Sequence, residues 1–518
     1  MELTLDQALI KGVEAHKAGK AQEADRYYPA ILKAQPKHPD ANHNIGVLAV
    51  GIGKVQESLS FFKTALEVNP SIAQFWLSYI DALIKLNRMD DAKTVLDEAK
   101  SKGIKGDVIK PLSKKVISKS SDVKDPPQDQ LQSLINHYTQ GLFQKALTQG
   151  SQLLKDFPNS FNLYNIIGAA NKSLGNLDKA IEAFNKALSL KPDYAEAYNN
   201  MAIALTDQGK IEEAIKAYSK ALSLKPDYAE AYNNMGIALR YQGKLDEAIE
   251  AYNKALSLQP ENTESYWNLY GTSGNIKAAK KWIEQCLKVD PNHEQAKLTL
   301  SALKFYEGDK SEFRALIKSP AKDHPYVRSF NWAFSLPKLP LLHFHRWSLF
   351  EHMIAQSRKD RPFYEFGVWR GEAFKYLIKT FKKGYGFDTF KGLPEDWHNE
   401  KTGSYSSEGN IPKVDGGEFI VGKFEDTLPD FFSETRPMAS IINFDADLYS
   451  STICALNYSK SVIDEHTILI FDEFIMNKNW EEDEYKALEE FCSNNHFEYE
   501  VLAISFFTAQ VAVRLIAI

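Results

Sequence analysis

In the last third of this sequence, acidic residues recur where short apolar runs end, and that spacing is where chemistry would sit. The run FYEF carries Glu365 near its end, passes through Gly367 and Gly371, and enters the helical pattern AFKYLIKTF. Such a strand, glycine turn and helix bring backbone close to a ligand and aim free N–H groups at it. Ligands of open α/β sheets lie beyond the carboxyl ends of the strands, so Glu365 is expected to face a crevice. Asp388 ends the next run twenty-three residues later, close to the spacing of about 20 at which an acid grips ribose hydroxyls. A carboxylate suits that task because it can accept from both the 2′ and 3′ hydroxyls. Three further runs end in Glu425 and Asp426, in Asp445 and Asp447, and in Asp472 and Glu473.

These acids require a sheet to align them. The five runs predict successive strands, WEEDEYKALEEFCSNN predicts an amphipathic helix, and FEYEVLAIS with QVAVRLIAI predicts a closing antiparallel pair. Asp445 and Asp447 could instead cap the helix that starts near Ser450. The polar segment 395–417 is longer than a plain connection and is expected to form a mobile flap over an acceptor. His398 lies in it, either as a general base or as a solvent-exposed loop residue. Neither a phosphate-binding GxxxxGK[ST] nor a GxSxG elbow occurs in this half, which argues against nucleotide hydrolysis and serine esterase chemistry.

Taken in order, EFGVWRG, FDTFKGLP, FEDTLP, FDADLYSST and IFDEF resemble the class I S-adenosylmethionine-dependent methyltransferases, specifically the macrocin O-methyltransferase (TylF/MycF) family, from about Tyr326 onward. The resemblance implies an α/β Rossmann-like seven-stranded methyltransferase domain. It implies that Glu365, Gly367, Val368 and Gly371 surround the methionine part of S-adenosyl-L-methionine, that Asp388 holds the ribose, and that Glu425 and Asp426 lie near the adenine. It further implies methylation of a sugar or glycan hydroxyl assisted by Mg2+ on Asp445, Asp472 and Glu473; Asp445 or Asp447 could serve as catalytic base from that site, within hydrogen-bond reach of the hydroxyl. A hard cation on oxygen ligands lowers the pKa of a hydroxyl and orients it. Glu473 departs from the family, where Asp is expected.

The first half is organised by a 34-residue period, marked by Pro158, Pro192, Pro226 and Pro260. Tyr198, Ala202, Leu205, Gly209, Ala214, Tyr218, Ala221 and Pro226 fall where a tetratricopeptide repeat places its aromatic, small and turn residues, so this half resembles an α-solenoid of tetratricopeptide helix hairpins. Asn44, Asn200, Asn234 and Asn268 occupy one equivalent position on the first helix of their repeats. They are expected either to line a peptide groove, where amides can donate to and accept from an extended backbone, or to be solvated polar positions. The expected organisation is looser repeats over 1–105, a linker at 106–130, repeats with a capping helix over 131–319, a junction or lid at 320–361 and the methyltransferase-like domain over 362–518. In the junction, Pro337 and Pro340 forbid a continuous helix, and His343 and His345 read as packing residues without a third metal ligand.

Composition narrows the function classes. A hydrophobic share of 44% with 25% charged residues is that of folded domains, and 518 residues call for several. The net charge of −6, with 21 Lys/Arg against 30 Asp/Glu in residues 321–518, disfavours nucleic acid and anionic membrane as partners. Cys286, Cys454 and Cys492 are far apart without a CxxC, which excludes a thiolate zinc site and fits a reducing compartment. No basic, apolar leader opens the sequence and no membrane-length apolar run occurs, so a cytoplasmic protein is expected. Alongside the enzyme stand two alternatives: an adaptor with a non-catalytic methyltransferase-like domain, and a methyltransferase acting on a protein delivered by the repeats.

Overall fold

The computed structural model describes residues 3–86, 88–104, 109, 111–112, 125–398, 400–407 and 409–518. Of the expected linker at 106–130, positions 106–108, 110 and 113–124 lie outside the described residues. The chain divides into two compact units, Met1–Leu205 with Ser223–Lys225, and Thr206–Leu222 with Pro226–Ile518. Among the described residues no helix is long and apolar enough to cross a membrane.

The first unit is built from helix hairpins. Leu5–Lys17 pairs with Ala21–Ala34, Pro39–Gly51 with Val55–Val68, and Ala73–Lys85 with Met89–Ser101. Further on, Gln128–Thr139 pairs with Phe143–Asp156, and Phe161–Ser173 with Leu177–Leu190. Gly168 shows why these helices approach so closely: a Cβ there would stand 2.6 Å from the Phe184 ring, which is fully buried. Gly46 meets Phe62 at the same 2.6 Å, so the looser early repeats use the same packing device. Each hairpin leaves an apolar face that a neighbouring hairpin must cover.

The second unit continues the hairpins with Ala229–Tyr241 on Leu245–Leu258 and Thr263–Tyr270 on Ile276–Val289. Thr263–Tyr270 is only eight residues long, against thirteen for Ala229–Tyr241, the first helix of the preceding hairpin. The capping helix is Glu294–Tyr306. One continuous core joins Tyr270, Ile283 and Leu303 of these last helices to Phe330, Phe444, Phe471 and Phe506. Tyr270 also donates its hydroxyl to the Phe506 carbonyl at 3.1 Å, and Gly271 admits the Phe507 ring.

The sheet contains β1 (Leu341–His343), β2 (Phe363–Phe366), β3 (Gly384–Asp388), β4 (Gly417–Val421), β5 (Ile441–Phe444), β6 (Ile468–Phe471), β7 (Phe497–Ser505) and β8 (Val511–Ala517). Their order is β1-β7-β8-β6-β5-β2-β3-β4. All neighbours are parallel except β8, which runs antiparallel to both β6 and β7. The central strands β2, β5 and β6 are buried throughout, consistent with their nearly continuous apolar sequences.

Two expectations need correction. The sheet has eight strands rather than seven, because the junction supplies β1, which pairs with β7 from Leu341 opposite Ala503 to His343 opposite Ser505. The extra strand covers an otherwise open sheet edge. Glu425 and Asp426 do not end a strand: β4 stops at Val421, Gly422 turns with φ of 149°, and both acids fall in the first turn of the helix Phe424–Phe431. Acids are favoured there by the helix dipole.

Candidate functional site

A cavity of about 430 Å³ opens at the carboxyl ends of β2, β3, β5 and β6. Its location follows from the backbone. Gly367 turns out of β2 with φ of 87°, and a Cβ there would lie 1.8 Å from the Asp445 carbonyl oxygen, so only glycine permits this approach of the β2 and β5 ends. Asp388 fixes the same turn. One of its oxygens accepts from the N–H groups of Val368 (2.8 Å) and Trp369 (2.6 Å), and the other from Phe390 (2.6 Å). Four lone-pair directions are available on a carboxylate, so these three bonds leave one unfilled.

Glu365, only 1% exposed, borders the cavity, and its Oε2 is buried without a hydrogen-bond partner. Burial first, then the nearby Asp445, holds its carboxyl well above the usual range. The same forces act on its neighbours: Asp445 is raised by burial and by Asp472. Burial and Glu473 push Asp447 up to about 8, while burial and Asp472 push Glu473 up to about 8. Glu484, also buried, accepts from the Glu473 N–H at 3.1 Å and is likewise raised by burial. Arg346 faces this acidic set. Burial works against its charge, but Asp472 and Asp445 hold it protonated above its ordinary value.

The structure therefore brings Glu365, Gly367, Val368, Asp388, Glu425, Asp445, Asp447, Asp472 and Glu473 to one cavity. Gly371 sits just behind, starting the helix Glu372–Phe381 with φ of 76°. Asp426 is exposed and outside the lining. His398 packs its Nε2 2.8 Å from Asp483. His343 and His345 serve packing: the first bonds Ser348 Oγ, and the second caps the helix Arg346–Gln356 through the Ser348 N–H.

The expected magnesium set is not assembled as a ligand cage. Among the described residues, no group of three or more His, Cys, Asp or Glu side chains is placed to hold a metal ion. One Asp472 oxygen instead accepts from both Arg346 and Gln510.

The groove asparagines differ among themselves. Asn200 donates to Asn165 at 3.1 Å, Asn44 lies 3.3 Å from the His43 ring nitrogen, and Asn234 is half-buried. Asn268 is 8% exposed and donates to Asn233 at 3.1 Å, so its amide is engaged inside the repeat.

Sequence reading missed Arg346, Gln510 and the aromatic lining from Trp369, Trp397 and Tyr405. It also missed a wall contributed by repeat residues Thr206, Asp207, Gly209, Ile211 and Tyr241. A signal for that wall existed. The near-identical copies beginning at Asp193 and Asp227 differ at Thr206 against Arg240 and at Asp207 against Tyr241, where they meet the sheet half. There Arg240 accepts on its carbonyl from Trp347 Nε1 at 3.0 Å, and a Cβ on Gly209 would lie 2.5 Å from the Trp369 ring.

Comparison with known proteins bears on the repeats. Tetratricopeptide repeat models match residues 44–106, 168–206, 193–261 and 268–293. The peroxisomal targeting signal receptor of Kluyveromyces lactis is 28% identical over 194 residues, which is 33% of this chain, so the chain spans a third of that protein's length. Among solved structures, MamA is 28% identical with a TM-score of 0.28, covering 31% of this chain and 95% of MamA. PilW, a type IV pilus biogenesis factor, is 22% identical with a TM-score of 0.36, covering 39% and 98%. Tetratricopeptide repeats thus occupy segments between residues 44 and 293, ahead of an α/β sheet domain.

Proposed function

We propose that the chain binds S-adenosyl-L-methionine at the β2/β5 cavity and transfers its methyl group to an oxygen of a sugar or glycan, while its repeats recognise a protein or peptide. The observation that carries this reading is the sheet order. The order reverses between β2 and β5, and the cavity lies outside the strand ends at that switch point, where ligands of such sheets bind. The antiparallel β8 inserted before β7 is the closing pair that the methyltransferase resemblance calls for.

The residues fit the cofactor. Glu365 presents an unpartnered oxygen for its ammonium group, and Asp388 keeps a lone-pair direction for the ribose while bracing the turn. When bound, the cofactor supplies an electrophilic methyl group on a sulfonium. Trp369, Trp397 and Tyr405 provide apolar walls that exclude water and can stack on a sugar face. Asp447 is the better-tuned base. With its pKa at about 8 it is ionised in only a fraction of molecules near neutral pH, but in that form it takes up a hydroxyl proton more readily than an ordinary carboxylate would, and Asp445 lies beside it. Among the described residues, the carboxylates do not form a set that fits a magnesium ion.

The repeat matches favour the protein-recognition half of this reading, and with it the adaptor alternative, in which the sheet domain does no chemistry. A protein acceptor presented by the repeats is the third reading. The three free cysteines suit a cytoplasmic setting. A thermal-shift panel on the full chain separates these readings. The methyltransferase reading expects stabilisation by S-adenosylmethionine and S-adenosylhomocysteine but not by NAD or ATP. Stabilisation by NAD alone, or by none of the four, would favour a different ligand or the adaptor.

A further inference from the structure

The carboxylates at the ends of β5 and β6 already hold a cation of the chain's own. Arg346 opens the helix Arg346–Gln356, whose cap is fixed by the His345 ring on the Ser348 N–H. From there its guanidinium enters the cavity, bonds Asp472 Oδ1 and stands 3.9 Å from Asp445 Oδ2. Gln510, in the turn before β8, donates to the same Asp472 oxygen. That oxygen is thus committed to two N–H donors, and Asp472 is only 8% exposed. A magnesium ion needs near-octahedral oxygen ligands at about 2.1 Å, and a guanidinium on the same carboxylate both blocks and repels it.

We propose that Arg346 is the resident cation of this site, standing between Asp445 and Asp472 where a divalent ion would otherwise sit, so that the chain binds its cofactor without a divalent metal. Arg346 is a positioning residue: its fork sets the Asp445 and Asp472 carboxylates relative to one another and offsets their charge. The metal half of the proposal stands on this geometry alone, whereas the cofactor half rests on the methyltransferase reading above.

The test is a Mn2+ titration of the full chain followed by electron paramagnetic resonance, with S-adenosylhomocysteine calorimetry in chelator and in Mg2+. Wild type is expected to show no stoichiometric Mn2+ site. Arg346→Met, which keeps the bulk and removes the charge, should bind one Mn2+ at least about tenfold more tightly than wild type, and Arg346→Lys should again bind none. A folded Arg346→Met variant that gains no site would overturn the replacement. One tightly bound Mn2+ in wild type, lost in Asp472→Asn, would overturn the proposal outright, and this measurement needs no arginine variant to fold. Cofactor affinity should agree between chelator and Mg2+ within about twofold, and a tenfold gain with Mg2+ would contradict it. Failure of S-adenosylhomocysteine to bind in either condition would sink the methyltransferase reading, while the Mn2+ titration would still decide the role of Arg346.

Discussion

The helix hairpins and the strand ends bury different chemistry. In the hairpins, Ala180, Phe184 and Ala187, or Phe62 and Ala65, make a neutral core whose parts repeat from hairpin to hairpin. At the strand ends, Asp445 and Asp472 flank the guanidinium of Arg346, and Glu365, Asp447, Glu473 and Glu484 are buried close to these two carboxylates. Burying carboxylates in excess of their partners costs stability, so that arrangement is retained for something other than folding. The hairpins are built to be stacked, whereas the strand ends concentrate the charge that the proposed cofactor site would use.

The contrast can be tested by substitution, beginning where the backbone leaves no room. Gly367→Ala should cost more than about 4 kcal/mol, because a Cβ there overlaps the Asp445 carbonyl and φ is positive. Denaturant unfolding followed by tryptophan fluorescence checks this, and a loss below about 1 kcal/mol would refute the close approach. Asp388→Ala strands three N–H groups and should cost about 3 kcal/mol of stability and a further 1–3 kcal/mol of cofactor affinity. Unchanged affinity would remove the ribose assignment.

The repeat wall gives an intermediate effect. Gly209→Val puts a branched side chain at φ of 71° against Trp369 and should cost about 1–3 kcal/mol, while weakening the stabilisation by S-adenosylhomocysteine. If the ligand shift survives intact, the repeat residues are not part of the working cavity.

The acids also predict a pH dependence. Asp447 and Glu473 titrate at about 8 in the folded chain, above their ordinary range, so the folded state holds these protons longer than the unfolded chain does. Their contribution to stability is fully present below about pH 4 and is lost as pH rises through about 8. Between pH 5 and 9, Asp447→Asn should therefore lose less stability than wild type, and parallel curves would mean that Asp447 is not held protonated. Asn200→Ala should be smallest, within about 1 kcal/mol, since it removes one neutral, half-buried bond to Asn165.

The hairpins were legible because their signal is periodic: Pro158, Pro192, Pro226 and Pro260 recur every 34 residues, and Gly141, Gly175, Gly209 and Gly243 turn at the same step with positive φ. The strand ends were legible because acid, glycine and apolar run stand next to each other in sequence, as in Glu365 and Gly367. Residues brought in from a distance left weaker traces. Arg346 acts across more than a hundred positions on Asp472, and nothing in HFHRW announces that. The strand Leu341–His343 is three residues long between prolines and a helix, too short for alternation to reveal. Tyr241 and Asp207 could have been found as differences between two near-identical repeats, a comparison that looks for departures from a period rather than for the period itself.

Whether the strand-end cavity is a cofactor site is decided by calorimetric titration of the full chain with S-adenosylhomocysteine, alongside the Asp388→Ala variant. One site of micromolar affinity is expected in wild type, weakened at least about tenfold in the variant. No heat of binding from well-folded wild-type protein, or equal affinity in both, would contradict it and leave the repeats as the working part of the molecule.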